Sequence, residues 1–293
     1  MKKLLLIGCL IFILLASGGC QNGKTAENPE KQETPNPAHP GFVTRQELYS
    51  YLVTPGQTGQ VSGRIFGAVL PHHLTAGKMI AGVIAQLAAQ KPRVIIVVGP
   101  NHENAGAKVI TGYYDWQTPD GIVKAEPDIV NALLAGGIAA RDEEVLSREH
   151  AIGSIVPFIR HYLPQTRIVP LILHHGVTLA QVDELLEVLK PHLGEDVVLL
   201  ASVDFSHYLS RRQAYDRDEV TLEAMRAWDY TKLFRMSSEY LDSPASLSLV
   251  FRAAQDQGIG SFQLLGHSNS GGILKNELIE TTSYFTLLFT EEK

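Results

Sequence analysis

Cysteine is almost absent from this chain of 293 residues, which contains only Cys9 and Cys20. The chain after Cys20 has no thiol, and this excludes disulfides, Fe–S clusters, cysteine-based zinc sites and cysteine nucleophiles from the body of the protein. A surplus of basic residues is missing as well, because 25 Lys and Arg stand against 31 Asp and Glu, for a net charge of −6. Nucleic-acid binding requires concentrated positive charge to neutralise phosphates. We therefore expect no nucleic-acid partner.

The sequence also has no hydrophobic run long enough to span a bilayer, although a shorter one opens the chain. Two lysines precede an apolar stretch at residues 4–15, which falls short of the about 20 residues that a transmembrane helix needs. Small residues then lead to Cys20 and resemble a bacterial lipobox, in which the cysteine is lipidated and begins the mature chain, although Ser17 stands where such motifs usually have Leu. Residues 1–20 are therefore predicted to be a lipoprotein signal peptide.

This signal predicts an exported protein that is attached to the outer side of the bacterial cell membrane through the lipid on Cys20 alone. A soluble secreted protein and an uncleaved anchor are the alternatives. Residues 21–40 contain four prolines and hardly any bulky apolar side chain, so they predict a disordered tether in which His39 is solvated. Residues 41–293 show no Pro/Ser-rich break and predict a single domain.

Apolar runs typical of buried strands alternate with amphipathic helical patterns in this domain. Strands are predicted at residues 64–70, 93–98, 167–173, 196–202 and 283–289. Helices are predicted at residues 75–90, 127–134, 152–162, 179–190, 211–228 and 246–257. Continuous β-branched runs are typical of parallel strands that are buried on both faces. The predicted fold class is therefore α/β, with a mostly parallel sheet flanked by helices.

Histidine follows four of the predicted strands, at His72, His102, His174 and His207. In open α/β sheets the ligand site lies at the carboxyl ends of the strands, and imidazole is both a common metal ligand and a proton carrier near neutral pH. The strands at 64–70 and 93–98 form one βαβ unit, so we expect them to be neighbours whose carboxyl ends lie about 5 Å apart. The pattern predicts a cleft that takes a small molecule or a peptide, although any one of these histidines could instead bind a loop carbonyl.

A family resemblance rests on short motifs in a fixed order. Pro71-His72, Gly99-Pro100-Asn101-His102, Glu149-His150 and the run from Ser202 to Tyr208 are similar in order and spacing to the MEMO-like proteins, also called AmmeMemoRadiSam system protein B. The resemblance implies a fold like that of the class III extradiol dioxygenases, which hold non-haem Fe(II) and open catechol rings. It also implies that His72 and His102 are metal ligands, because they match the histidines of the family's PHAG and GPSH motifs.

The chain departs from this family pattern at two places. The Ala-Gly of the PHAG motif is replaced by His73-Leu74, and the Cys-Gly pair that supplies the family's third ligand is missing. The missing cysteine falls nearest Asp242. Two histidines and one carboxylate leave open positions on Fe(II), so the implied cofactor is a divalent metal, iron first, with copper or zinc as alternatives. Residues 242–244 read equally well as a turn and N-cap before the helix.

The remaining motif residues predict proton transfer beside the metal. Asp204 is expected to orient His207, which matches the acid–base histidine of extradiol dioxygenases. His150 is expected near a helix N-terminus, where its neutral form is favoured, while Glu149 reads as either a site residue or a helix cap.

Three functions remain open on the sequence, and it does not decide whether the protein is an enzyme. The first is an extradiol-type iron oxidoreductase that acts on a small substrate. The second is a non-catalytic metal- or redox-binding lipoprotein. The third is a peptide-binding scaffold with a vestigial site.

Overall fold

The structure of the protein is a computed structural model that describes residues 36–55 and 61–291. The predicted signal peptide with Cys20, and the predicted tether as far as residue 35, lie outside the described residues. Within the two described ranges, no helix combines the length and the apolar character that crossing a membrane requires.

Strands and helices alternate along most of the described chain. The strands are β1 Ala38–His39, β2 Arg64–Leu70, β3 Val94–Pro100, β4 Val109–Thr111, β5 Asp115–Thr118, β6 Gly121–Val123, β7 Ala140–Arg141, β8 Arg167–Leu173, β9 Val197–Ser202, β10 Phe205–Leu209, β11 Gln263–Asn269 and β12 Thr281–Glu291. The helices are α1 Arg45–Tyr51, α2 Gly77–Leu87, α3 Pro127–Ala135, α4 Glu143–Leu146, α5 His150–Gly153, α6 Val156–Tyr162, α7 Leu179–Leu189, α8 Arg211–Arg226, α9 Tyr230–Leu233, α10 Pro244–Asp256 and α11 Ser270–Leu274.

A large central sheet carries the strands in the order β10-β12-β2-β9-β3-β8-β4-β7, with β11 paired to β12. The four inner strands β2, β9, β3 and β8 run parallel, whereas β12 and β4 add to the two sides in the antiparallel sense. Strands β1, β5 and β6 form a separate small sheet. The predicted α/β class, with a mostly parallel central sheet between helices, is confirmed.

Burial on both faces of the sheet explains why the inner strands could be predicted from the sequence. Every residue of β3 is buried, and its alternate side chains enter two different clusters, one containing Val94, Ile96 and Val98 and the other containing Ile95 and Val97. The first cluster also takes in α3, α7 and α10, and the second takes in α2 and α6. The sheet is therefore covered by helices on both sides, and its carboxyl edge is left free for a site.

The predicted adjacency of the first βαβ unit is wrong. Strand β9 lies between β2 and β3 and pairs with both in parallel. Consequently the end of β9, at Ser202, lies between the segments that carry His72 and His102, and β9 becomes part of the site.

The predicted helix over 152–162 is interrupted. It is divided into α5 and α6, with Pro157 in the first turn of α6. Proline has no backbone N–H, so the helical hydrogen bond to residue 153 cannot form, and a new helix begins there.

The predicted tether extends too far, because residues 36–40 belong to the folded unit that begins at Asn36. Strand β1 pairs in parallel with β5. His39 is only 2% exposed, with its ring 4.4 Å from that of Trp116 and its Nε2 3.2 Å from Glu143. The expectation that His39 is solvated is therefore wrong, since partners distant in the sequence bury it.

Candidate metal centre

Three histidine rings meet at the carboxyl edge of the sheet. His72 follows β2 and His102 follows β3, and their ring centroids are 5.0 Å apart. His150, the first residue of α5, stacks on His102 at 4.0 Å and lies 5.1 Å from His72. The structure therefore brings together the two predicted histidine ligands and adds His150 at the same distance.

The His72 ring is buried and its tautomer follows from its partners. Its Nδ1 lies 3.1 Å from the Ser202 hydroxyl, which donates its own proton to the carbonyl of Ala151 at 2.7 Å. The hydroxyl must therefore accept from Nδ1–H, which leaves a lone pair on Nε2. Burial, together with the nearby His102 and His150, holds the pKa of His72 well below its usual value, so the ring is neutral at pH 7.

The Nε2 lone pair of His72 points at carboxylates. Nε2 lies 3.3 Å from Oδ2 of Asp242 and 3.6 Å from Oδ2 of Asp204. Oδ1 of Asp242 is buried without a hydrogen-bond partner among the described residues. Burial and the Asp204 charge hold the pKa of Asp242 well above its ordinary value, and burial also raises the pKa of Asp204. A set of acceptors that face one another requires a cation or a proton between them.

Backbone hydrogen bonds fix the two aspartates to each other. The Asp204 N–H donates to Oδ2 of Asp242 at 3.1 Å, and the Asp242 N–H donates to the Asp204 carbonyl at 3.1 Å. The N-cap of α10 is Ser243, which accepts from Ser246. The turn-and-cap interpretation of 242–244 is therefore satisfied by Ser243, and Asp242 remains available to the site.

Glu149 orients the second histidine. It accepts from Nδ1 of His102 at 2.7 Å and from the His102 N–H at 2.9 Å. It is also the N-cap of α5, since it accepts from the Ala151 N–H. Burial raises the pKa of Glu149, but the hydrogen bonds from His102 and the backbone outweigh this effect and hold the pKa below the ordinary value. The His102 Nε2 is left free to bind a metal, as in carboxylate–histidine–metal arrangements.

Two overlapping groups can hold a metal ion, and both include His72. One group is His72, His102 and His150, and the other is His72, Asp204 and Asp242, with the candidate ligand atoms within 4.8 Å of one another in each. The predicted ligands His72, His102 and Asp242 draw on both groups. Asp204 and His150, predicted to assist proton transfer, also lie at positions from which they can bind the ion.

His207 lies on strand β10 where a loop was expected. Its Nδ1 lies 3.1 Å from the carbonyl of Ser238, so Nδ1–H donates and Nε2 is the free acceptor. Burial lowers the pKa of His207, while the nearby Asp204 opposes that shift. The ring is thus oriented by Ser238, and Asp204 acts on it through charge. Phe205, between Asp204 and His207 in the chain, is completely buried.

Two other histidine positions face different surroundings. His174 and His175 stack on each other at 4.4 Å and line a cavity that reaches Asp242, outside both metal-binding groups. His73, which replaces the family's alanine, shares a 2.7 Å hydrogen bond between its Nδ1 and the Tyr284 hydroxyl. The sequence analysis gave no role to Ser202, although this residue ends a buried strand and begins the motif run from Ser202 to Tyr208.

Comparisons with known proteins agree with the site motifs. A family model described as Memo-like protein matches residues 45–286. A MEMO1 family protein from Methanosarcina barkeri is 31% identical over 218 residues, which cover 71% of this chain and 81% of that protein. A MEMO1 family protein from Pyrobaculum arsenaticum is 29% identical over 244 residues, which cover 80% of this chain and 86% of that protein.

The fold has a counterpart among solved structures. The crystal structure of an uncharacterized protein from Escherichia coli K12 matches with a TM-score of 0.53 and 15% identity, covering 76% of this chain and 98% of that one. At this identity the likeness concerns the fold alone. The family model and the sequence relatives carry the conclusion that this chain belongs to the Memo-like family.

Proposed function

We propose that this protein binds one divalent metal ion through His72, His102 and Asp242, and that Fe(II) is the preferred ion, ahead of copper and zinc. The single observation that carries the proposal is the 3.3 Å approach of the His72 Nε2 to the carboxylate of Asp242; the hydrogen bonds of Ser202 assign the ring proton to Nδ1. The buried Oδ1 of Asp242 without a partner fits the same ion. A ferrous ion held by two histidines and one carboxylate offers open positions for oxygen and a substrate.

The surrounding residues support a function as an oxidoreductase of the extradiol type. His207 presents Nε2 as a base that can take a proton from a substrate hydroxyl, while Ser238 holds the opposite side of the ring. The negative charge of Asp204 favours the protonated ring that results. Glu149 and Ser202 hold the two imidazole ligands in place, which preserves their geometry during a reaction.

Metal analysis tests the binding proposal. The protein without residues 1–20, purified without oxygen, is expected to carry about one metal ion per chain. Inductively coupled plasma mass spectrometry measures this content. The double variant His72→Ala/His102→Ala should lose that ion and keep its circular dichroism spectrum. The matched control is His192→Ala, in the short 3₁₀ turn Lys190–His192 away from the site, which should keep the metal. Unchanged metal content in the double variant contradicts the proposed ligands.

Oxygen uptake tests the reaction. The iron-loaded protein is expected to consume oxygen when catechol is added, and the His207→Ala variant should lose this activity with its metal retained. A protein that holds iron but consumes no oxygen with any catechol supports the non-catalytic metal-binding alternative. A protein without stoichiometric metal supports the peptide-binding scaffold.

We also propose that the protein is exported and held at the membrane by a lipid on Cys20. The small-residue run that ends at Cys20 supports this. Labelling with a radioactive fatty acid in cells should mark the parent chain and fail to mark Cys20→Ser. An unlabelled parent chain in a labelled lysate contradicts lipidation.

A further inference from the structure

Two adjoining cavities form one groove that begins at Asp242. The inner cavity has a volume of about 260 Å³ and is lined by Asp242 and by Ser238, the residue that orients His207. The outer cavity has a volume of about 470 Å³ and is lined by Arg235. His175, Val177 and Phe234 line both cavities, so the two cavities adjoin, and Asp242 of the candidate metal centre lines the inner one.

The walls between the two ends are mainly apolar. Phe234, Met236 and Leu241 line the inner cavity. His174 adds one fixed donor, because its Nδ1 accepts the Gly176 N–H at 2.9 Å and its proton must therefore be on Nε2. Drug-sized ligands occupy about 300–1,000 Å³. The inner cavity is smaller and suits a ligand body of about one ring.

The two ends of the groove differ in charge. Asp242, an acidic residue, lines the inner cavity. In the outer cavity Arg235 is exposed and makes no ion pair with any residue in the described ranges, and the amino end of α7 at Thr178 adds positive potential. A guanidinium without a partner binds a carboxylate through two parallel hydrogen bonds. An anionic ligand would therefore enter with its charge outward and its neutral end toward Asp242.

We propose that this groove binds a small organic carboxylate with a flat apolar body, its carboxylate on Arg235 and its opposite end beside the metal. The ligand is then the substrate class of the oxidoreductase, an inference that rests on the function proposed above. Arg235 is in this view a specificity residue, and His174 and His175, which the metal centre leaves unused, form part of the wall that holds the ligand.

Binding of benzoate tests the groove, with benzamide as a neutral ligand of the same shape. Isothermal titration of both the metal-loaded and the metal-free protein should show benzoate binding that weakens about tenfold or more in Arg235→Ala. Benzamide should bind more weakly than benzoate and should not respond to this substitution. Arg235→Lys should restore part of the benzoate affinity, because it returns the charge without the fork of donors.

Lys232→Ala is the matched control, since Lys232 is a cation in α9 that lines neither cavity. It should leave the benzoate Kd within about twofold. Equal benzoate affinity in Arg235→Ala and the parent, equal affinity for benzoate and benzamide, or no benzoate binding at millimolar concentration would each overturn the proposal.

Metal content measured on the same samples separates this proposal from the preceding one. Arg235→Ala should keep its metal, so a null benzoate result with metal present rejects the carboxylate groove alone. A parent protein without metal rejects the proposed metal function, while benzoate titration of that same protein still decides whether the groove binds a carboxylate.

Discussion

Asp242→Asn is expected to stabilise the metal-free protein while it weakens metal binding. The carboxylates of Asp242 and Asp204 lie within 4.8 Å of one another. Two unit charges at that distance repel by about 3.5 kcal/mol at an effective dielectric constant of about 20. Uptake of a proton by Asp242 relieves part of this repulsion. Removal of the charge by substitution should therefore raise the free energy of unfolding by about 1–3 kcal/mol. For a domain of this size that gain corresponds to a rise in Tm of about 2–12 °C.

The pH dependence of this effect has a definite sign. Burial and Asp204 raise the pKa of Asp242 in the folded state, whereas the unfolded value is about 3.9. The contribution of Asp242 to stability is therefore complete below about pH 4 and is lost as the pH rises through the folded pKa. Asparagine does not titrate, so the advantage of Asp242→Asn over the parent should grow from pH 5 to pH 8.

The assay is thermal unfolding in a chelator, followed by the same measurement with added Fe(II). With Fe(II) the parent should have the higher Tm, because loss of an anionic ligand in Asp242→Asn should weaken iron binding by more than about tenfold. Asp218→Asn is the control, since Asp218 is also an interior carboxylate, completely buried, but its two oxygens accept from Ser206 at 2.6 Å and His267 at 2.7 Å. The free energy of unfolding of Asp218→Asn should fall by about 1–3 kcal/mol. A metal-free Asp242→Asn that unfolds earlier than the parent would refute the reasoning.

Three further predictions follow from other contacts. Glu149→Gln should weaken metal binding about 10- to 100-fold because His102 loses its carboxylate partner; an unchanged metal Kd by competition with a chelator would contradict this. His207→Ala should keep the metal and lower oxygen uptake with catechol about 100-fold or more, whereas loss of metal would make His207 a ligand. Gly153→Ala should destabilise the fold by about 1–3 kcal/mol in urea unfolding, because its new Cβ would lie 2.1 Å from the Phe42 ring; an unchanged midpoint would mean that Phe42 is free to move aside.

The inner strands were predictable because strands that are buried on both faces consist of continuous apolar runs. Strands β2 and β8 begin and end where their apolar runs do. The outer strands β4, β7 and β11 were not predicted, because they are short or polar and depend for their strand conformation on the strands beside them. Strand β9 was predicted as a strand from its own residues. Its position between β2 and β3 was not predicted, because no local sequence pattern encodes the order of strands in a sheet.

The candidate site divides in a similar way. His72, His102 and Asp242 were predicted from motif order, and the structure places Asp242 against His72. The ring tautomer of His72 could not be predicted, since it depends on Ser202 and on the carbonyl of Ala151 beyond it. The pairing of His207 with Ser238 was likewise missed because the two lie 31 positions apart in the chain.

The long sequence separation of the site residues determines when an ion can enter. The His72 N–H meets the side chain of Asp204 132 positions away, and His102 meets Glu149 47 positions away. No short fragment of the chain holds all the proposed ligands, so we expect high-affinity metal loading to follow completion of the sheet rather than to guide it. We then expect the metal that binds to come from the compartment in which the chain finishes folding. For a chain that crosses a membrane before folding, that compartment is the one outside the cytoplasm.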